Sequence, residues 1–197
     1  MIRQIPNILT FGRLVLTIVF LLMVLYSPDV GDKPAFLDTA FVIFVIAGLT
    51  DIFDGPVARK LGVASQFGRM LDPLVDKILV CGSFVCFAII GEPLLFGLPA
   101  PTLRLVHWSV AAVLILREGY VTGLRHYYEA RGVNFAAVAS GKIKMLIQSF
   151  AIGTVMIKAA HVQTALWGYW FTTITLGIML VVTVISGLTA IRRTVRR

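Results

Sequence analysis

Four of the ten acidic residues lie inside, or at the ends of, long apolar segments: Asp51, Asp54, Asp72 and Asp76. Ionisable side chains at such positions are costly in lipid and are usually functional. The first two are three residues apart and the last two are four apart, so each pair projects from one face of a helix with Cβ atoms about 5–6 Å apart. Because the connection between the two helices is short, we expect them to be antiparallel neighbours whose acids face each other at one end.

Four carboxylates placed so close together would repel one another and take up protons unless a cation neutralised them. Hard oxygen ligands with no histidine or cysteine nearby favour Mg²⁺, Mn²⁺ or Ca²⁺ over zinc. Two other interpretations are structural ion pairs with lysines and arginines, and a pathway for ions. A divalent-ion transporter is less favoured, because transporters more often have helices interrupted in mid-membrane by Gly or Pro.

The residues between the two acidic pairs suit a substrate that carries phosphate. Gly55 and Ala58 are small and allow a ligand to approach the backbone closely. Arg59 can present its planar guanidinium to a pyrophosphate. Gly68 would allow a tight turn into the next helix.

The elements that carry these residues are predicted to be membrane-spanning helices. The 197 residues are 58% hydrophobic and 14% charged, with a mean hydropathy of +0.89, whereas soluble domains carry about 25% charged residues. We predict an all-α polytopic membrane protein, with residues 1–197 forming a single membrane domain. Apolar runs long enough to cross a bilayer predict six transmembrane helices at roughly 8–27, 36–60, 72–91, 104–128, 142–161 and 166–190.

The distribution of basic residues predicts the orientation of this bundle. Only Lys33, Arg104 and Lys158 belong to the end opposite the acids. The acidic end and its loops hold Arg3, Arg59, Lys60, Arg69, Arg125, Arg131, Lys142, Lys144, Arg192, Arg193, Arg196 and Arg197. The positive-inside rule therefore places both termini and the acidic cluster in the cytoplasm. The net charge of +8 indicates topology and contact with anionic lipid, and we expect no nucleic-acid partner.

The segment from Asp51 to Asp76, DIFDGPVARKLGVASQFGRMLDPLVD, resembles the CDP-alcohol phosphotransferase family. It matches the family pattern D-x2-D-G-x2-A-R-x8-G-x3-D-x3-D at every specified position, and the resemblance extends over nearly the whole chain. It implies that Asp51, Asp54 and Asp72 bind metal, with one or two Mg²⁺ or Mn²⁺ ions bridging to the pyrophosphate of a CDP-linked lipid. Asp76 corresponds to the general base for the acceptor hydroxyl, to a further metal ligand, or to both.

The same resemblance assigns Gly55, Ala58, Arg59 and Gly68 to the cytidine and diphosphate of the donor. IPNILTFGR at residues 5–13 is similar to the N-terminal element of bacterial phosphatidylglycerophosphate synthases, one branch of the family. It implies that Asn7 and Thr10 contact the CDP moiety, with Arg13 on the same helical face. The alternative for Asn7 is a helix N-cap after Pro6.

A second stretch, from residue 117 to residue 148, is similar to the RE-x5-LR and SGK-x-K-T-x2-Q segments of that branch. It would bring Arg117, Arg125, Lys142 and Lys144 together beside the acids, as an anionic acceptor such as glycerol 3-phosphate requires. The alternatives are that the lysines only mark topology and that Arg117 pairs with Glu118 or another acid. Met145 replaces the usual threonine of the second segment.

The resemblance implies transfer of a phosphatidyl group from CDP-diacylglycerol to glycerol 3-phosphate, giving phosphatidylglycerophosphate and CMP. Phosphatidylinositol-phosphate synthesis and cardiolipin synthesis are alternatives within the family. It also implies a homodimer in a bacterial cytoplasmic membrane, with the active site facing the cytoplasm. Because the donor is a lipid, we expect a cavity that opens sideways to the bilayer.

Overall fold

A computed structural model describes the backbone of residues 5–61, 66–131 and 139–195. Side chains are described for residues 10–50, 73–128, 130–131 and 143–190. Every regular element in these ranges is helical, in agreement with the predicted fold class. The helices are α1 (Ile5–Tyr26), α2 (Lys33–Leu61), α3 (Gln66–Ile90), α4 (Ala100–Glu129), α5 (Ala139–His161) and α6 (Leu166–Val195), with a 3₁₀ turn at Ser27–Asp29.

Each predicted span has its counterpart among these helices, but α3 begins six residues earlier than residue 72. The predicted start at residue 72 followed the beginning of the apolar run, whereas the first residues of α3 are more polar. Pro73 therefore lies inside α3, where it leaves one backbone carbonyl without its N–H partner. Gly68 is consequently in the first turn of α3, and the prediction that it forms the turn before that helix is wrong.

Five of the six helices contain a segment long and apolar enough to cross a membrane: Thr10–Asp29, Lys33–Thr50, Pro73–Ile90, Ile143–His161 and Leu166–Ala190. The fourth helix, α4, does not meet this criterion within the described residues. It carries Arg104, Arg117, Glu118 and Arg125 along its length, which lowers its hydropathy. The described residues thus contain six α-helices, five of which are candidate spans by length and composition, and the sixth transmembrane span stays a prediction.

The outer surface of the bundle is apolar, as contact with lipid requires. Leu105, Leu116 and Leu146 are each about 70% exposed, and large side chains of this kind are exposed along all six helices. A soluble monomer does not present so much contiguous apolar surface to water. Together with the five apolar spans, this surface identifies an integral membrane protein.

Among the five candidate spans, the one in α5 is the most buried. α1 packs against α2 and α3, α5 packs against α2 and α6, and α4 packs against α3 and α6. In the described residues α2 and α3 each pack on α1, and the side chains at the ends of α2 and α3 that were expected to face each other lie outside the described residues. The core contains Phe20, Val24, Phe44, Leu79, Phe84, Leu114, Ile152, Met156 and Met179.

The short connections between α1 and α2, α3 and α4, and α5 and α6 lie at one end of this bundle. At that end Lys33 Nζ donates to Glu92 Oε1 over 2.7 Å, and His161 Nε2 lies 2.8 Å from Asp38 Oδ1. The opposite end gathers the start of α1, α3 and α5 and the end of α2, α4 and α6. We call this second end the site end, because all of the predicted functional residues lie there.

Candidate functional site

The helical positions of the four aspartates agree with the prediction. Asp51 and Asp54 lie in the second half of α2, and Asp72 and Asp76 lie in the first half of α3. Both pairs therefore belong to the site end. The side chains of Asp51, Asp54, Gly55, Ala58, Arg59, Gly68 and Asp72, and those of Asn7 and Lys142, lie outside the described residues, so their predicted contacts stay predictions.

Asp76 is the one member of the acidic motif whose side chain is described, and it forms an ion pair with Arg13. The guanidinium Nη2 of Arg13 donates to Asp76 Oδ1. The arginine side chain is only 1% exposed, while the carboxylate is 28% exposed. A charged hydrogen bond from a buried donor fixes the orientation of the carboxylate, and α1 thereby positions the last aspartate of the motif.

The N-terminal helix presents a buried polar face to this part of the site. Thr10, Arg13 and Thr17 are spaced three and four residues apart, and all three are buried. This spacing puts them on one face of α1. The predicted location of Thr10 beside Arg13 is confirmed, whereas its contact with CDP stays a prediction. Since α1 already includes Ile5, Asn7 lies inside the helix and its alternative role as N-cap is wrong.

Whether the site end can bind a divalent ion depends on the ligand atoms that its side chains provide. Among the described side chains no group of three or more Asp, Glu, His or Cys residues is close enough to hold a metal. A carboxylate has about four acceptor positions on two oxygens, so the arginine contact at Oδ1 leaves Asp76 with capacity for another partner. The helical spacing of all four acids and their oxygen chemistry fit Mg²⁺ or Mn²⁺, and metal binding stays a prediction.

Two of the four predicted acceptor-binding cations meet on a single carboxylate. Arg117 Nη1 donates to Glu118 Oε1 over 2.9 Å, and Lys144 Nζ donates to the same oxygen. All three side chains are 8–13% exposed. The structure therefore brings Arg117 and Lys144 together, as predicted. It also confirms the alternative in which Arg117 pairs with Glu118.

The sixth helix completes the surroundings of Arg117. Its second guanidinium nitrogen, Nη2, donates to Ser186 Oγ over 2.8 Å. One residue further along α6 is Gly187, where an added Cβ would lie 3.3 Å from Arg117 Cγ. The missing Cβ allows the arginine side chain to pack closely against the backbone of α6.

Arg125 lies two turns after Arg117 on α4 and is half-buried. Lys77, directly after Asp76 on α3, interacts electrostatically with Arg125 and with Glu118. Arg125 is thereby linked to the region of the other cations, but no hydrogen bond joins it to them in the described part of the chain.

Several residues at the site end have no functional role predicted from the sequence. Arg13 was noted only for its helical face, and Glu118 only as an alternative partner of Arg117. Gln148 Nε2 approaches Thr183 Oγ1 at 3.4 Å and joins α5 to α6. Both Glu118 and Gln148 are specified positions of the RE-x5-LR and SGK-x-K-T-x2-Q segments. Their place in these motifs could have indicated a role at the site end, whereas their side-chain chemistry alone did not.

A lateral groove of about 730 Å³ runs between α4 and α6 beside Arg117. Its walls are mostly apolar and include Leu116, Tyr120, Val184 and Leu188. The groove is open toward the outer surface of the bundle, and a sideways entrance for the lipid donor stays a prediction. Arg117 is the charged residue among its lining side chains.

Comparison with known proteins gives a consistent assignment. The family described as CDP-alcohol phosphatidyltransferase matches residues 3–189. A relative named probable phosphatidylglycerophosphate synthase, from Mycobacterium tuberculosis (strain ATCC 25618 / H37Rv), is 35% identical over 99% of this chain and 83% of its own length. Another, from Bacillus subtilis (strain 168), is named CDP-diacylglycerol–glycerol-3-phosphate 3-phosphatidyltransferase and is 34% identical over 93% of this chain and 91% of its own. A Rickettsia typhi relative of the same name is 28% identical over 79% and 77%.

Proposed function

Because this chain belongs to the CDP-alcohol phosphatidyltransferase family, we propose that it transfers the phosphatidyl group of CDP-diacylglycerol to glycerol 3-phosphate. The products are phosphatidylglycerophosphate and CMP. The observation that carries the proposal is similarity over 93–99% of the chain to relatives named for phosphatidylglycerophosphate synthesis. The meeting of Arg117 and Lys144 at the site end supports an acceptor that carries a phosphate.

The reaction is a displacement at phosphorus. A hydroxyl oxygen of glycerol 3-phosphate forms a new bond to the phosphorus that bears the diacylglycerol, and the bond from this phosphorus to the CMP oxygen breaks. CMP leaves with the electron pair, and the proton of the attacking hydroxyl must go to a base. Asp76 is the proposed base, since a carboxylate held in place can take a proton from a neighbouring hydroxyl.

Arg13 contributes to this step through Asp76. Its buried guanidinium holds one carboxylate oxygen, which restricts rotation of the carboxylate and directs its other oxygen. The proposed ligands of a divalent ion are Asp51, Asp54 and Asp72, with Asp76 as a further candidate. Such an ion, when bound, would offset the negative charge that develops on the phosphate oxygens.

The proposed location is a bacterial cytoplasmic membrane with the site end and both termini in the cytoplasm. α4 then also crosses the membrane and brings the number of spans to six. The charged residues in its C-terminal half are directed into the bundle, since Arg117 and Glu118 are largely buried against α5 and α6. Charged residues in membrane helices are generally directed inward and paired in this way. We also propose that the protein forms a homodimer, as the family resemblance implies.

The acceptor is tested with purified protein, CDP-diacylglycerol and Mg²⁺. Glycerol 3-phosphate, inositol phosphate and phosphatidylglycerol are supplied in separate reactions, and both CMP and the lipid product are measured. We expect CMP release with glycerol 3-phosphate only. If CMP is released only with inositol phosphate, or only with phosphatidylglycerol, the chain belongs to another branch of the family. If no alcohol supports CMP release, the proposed reaction is contradicted.

The proposed metal is tested with the Asp72→Asn variant and with metal removal. Chelation should abolish CMP release, and Mg²⁺ or Mn²⁺ should restore it in the unaltered protein. Asp72→Asn keeps the size of the side chain but removes its charge, and we expect turnover to fall by about a hundredfold or more. Near-normal turnover of this variant at ordinary Mg²⁺ concentrations would contradict the ligand role.

A further inference from the structure

Glu118 holds two cations of the proposed acceptor site on one oxygen atom. Its Oε1 accepts from Arg117 Nη1, at 2.9 Å, and from Lys144 Nζ. The arginine precedes it on α4, whereas the lysine belongs to α5, 26 residues along the chain. One carboxylate therefore determines how two cations on different helices lie relative to each other.

Burial makes this arrangement dependent on the carboxylate. The side chains of Arg117 and Lys144 are 13% and 8% exposed, so water screens their mutual repulsion poorly. Two buried cations in such proximity require an anion between them. In the absence of a negatively charged partner, we expect Lys144 and Arg117 to move apart.

The two cations keep hydrogen-bond donors beyond those that Glu118 receives. A guanidinium has five N–H donors and an ammonium has three. Arg117 gives one to Glu118 and one to Ser186, and its buried Nε has no hydrogen-bond partner among the described residues. The trio carries a net charge of +1, and Lys77 adds a further cation in electrostatic contact with Glu118. This is a suitable environment for an additional anion.

We propose that Glu118 is the positioning residue of the acceptor-phosphate site. It holds Arg117 and Lys144 side by side, so that their remaining donors converge on the phosphate of the acceptor alcohol. This inference rests on the proposed function and deepens it, because it assigns an acidic residue to the recognition of an anionic substrate. Positioning predicts weaker acceptor binding when the carboxylate is removed. If the carboxylate only neutralised the cations, its removal would strengthen acceptor binding.

The test compares Glu118→Gln with the unaltered protein. Glutamine keeps the shape of the side chain but cannot hold two cations, and we expect the KM for glycerol 3-phosphate to rise by about tenfold or more. The KM for CDP-diacylglycerol should stay within about twofold. An unchanged or lower KM for glycerol 3-phosphate would overturn the proposal.

Glu92→Gln is the matched control. Glu92 is also a buried glutamate that accepts from a lysine, Lys33, over 2.7 Å, but at the opposite end of the bundle. We expect its replacement to lower the unfolding temperature without raising the KM for glycerol 3-phosphate. A rise in that KM equal to the rise in Glu118→Gln would indicate a general structural effect and would overturn the positioning role.

A double variant tests whether Glu118 acts through Lys144. If it does, Glu118→Gln should change the KM much less in a variant that also carries Lys144→Met, because the two effects are not additive for residues in one network. Fully additive effects would contradict the mechanism. Glu118→Asp, which keeps the charge on a shorter side chain, gives an intermediate KM and supplies the measurement if Glu118→Gln does not fold.

These outcomes are separate from those of the proposed function. If the unaltered protein makes no phosphatidylglycerophosphate from glycerol 3-phosphate, the proposed function fails. If the unaltered protein makes it and Glu118→Gln keeps a normal KM for this acceptor, the proposed function stands and only the role of Glu118 fails.

Discussion

The ion pair between Arg13 and Asp76 changes the interpretation of the acidic motif. Spacing along α2 and α3 indicated four acids that require a cation. The structure supplies one cation from the protein itself, a buried arginine on α1 that donates to Asp76 Oδ1. The last aspartate is therefore held in a fixed orientation before any substrate binds, which suits the base proposed for the acceptor hydroxyl.

Replacing Arg13 with glutamine should reduce turnover more than substrate binding. The variant leaves Asp76 without its charged partner, and we expect kcat to fall by roughly tenfold to a hundredfold. Because one partner of a largely buried pair is lost, the free energy of unfolding should also fall by about 2 kcal/mol. Steady-state CMP release and thermal unfolding in detergent measure the two effects.

Arg104→Gln is the control for that variant. Arg104 is an exposed arginine near the start of α4, at the other end of the bundle. Its replacement should change neither kcat nor the unfolding temperature. A normal kcat in Arg13→Gln would show that Asp76 needs no orientation by α1.

At the level of helices, the site depends on a close approach between α4 and α6. Arg117 on α4 donates to Ser186 on α6, and the adjacent Gly187 leaves room for the arginine side chain. An alanine Cβ at this position would lie 3.3 Å from Arg117 Cγ and 3.7 Å from its Nε. The first of these distances is shorter than an ordinary van der Waals contact, so the arginine would have to shift.

Gly187→Ala should therefore weaken acceptor binding. We expect the KM for glycerol 3-phosphate to rise by about threefold to tenfold, because a displaced guanidinium loses hydrogen bonds to Ser186 or Glu118. Gly177→Ala is the matched control: Gly177 lies on the same helix, and an added Cβ there meets nothing within 4 Å. Equal KM values in the two variants would contradict this role for the α4–α6 approach.

For the whole molecule, the two ends of the bundle differ in their chemistry. The site end joins α1 to α3 and α4 to α5 and α6 through arginine, lysine and carboxylate contacts. The other end is closed by Lys33–Glu92 and by His161–Asp38. The excess of basic residues toward the site end predicts that this end is cytoplasmic.

Single cysteines introduced at the two ends test this orientation in intact cells. With Cys81 and Cys86 replaced by serine, a membrane-impermeant maleimide should label Gly31→Cys directly. Ala130→Cys, at the end of α4, should be labelled only after the membrane is permeabilised. Both positions are exposed, so protein burial does not protect them. The reverse labelling pattern would invert the proposed topology.

The sequence by itself determined the class of protein, the approximate position of all six helices and the helical spacing of the four aspartates. These properties depend on local composition and on residues three or four apart. The family resemblance was likewise readable from Asp51 to Asp76, and the match over residues 3–189 confirms it.

Only the tertiary structure decided which side chains of different helices meet. Arg13 and Asp76 are 63 residues apart, Arg117 and Ser186 are 69 apart, and Glu118 and Lys144 are 26 apart. Such contacts depend on the rotation and depth of each helix within the bundle. Helices that are apolar on most faces leave this rotation undetermined, because hydrophobic periodicity marks a buried side only when the opposite side is polar.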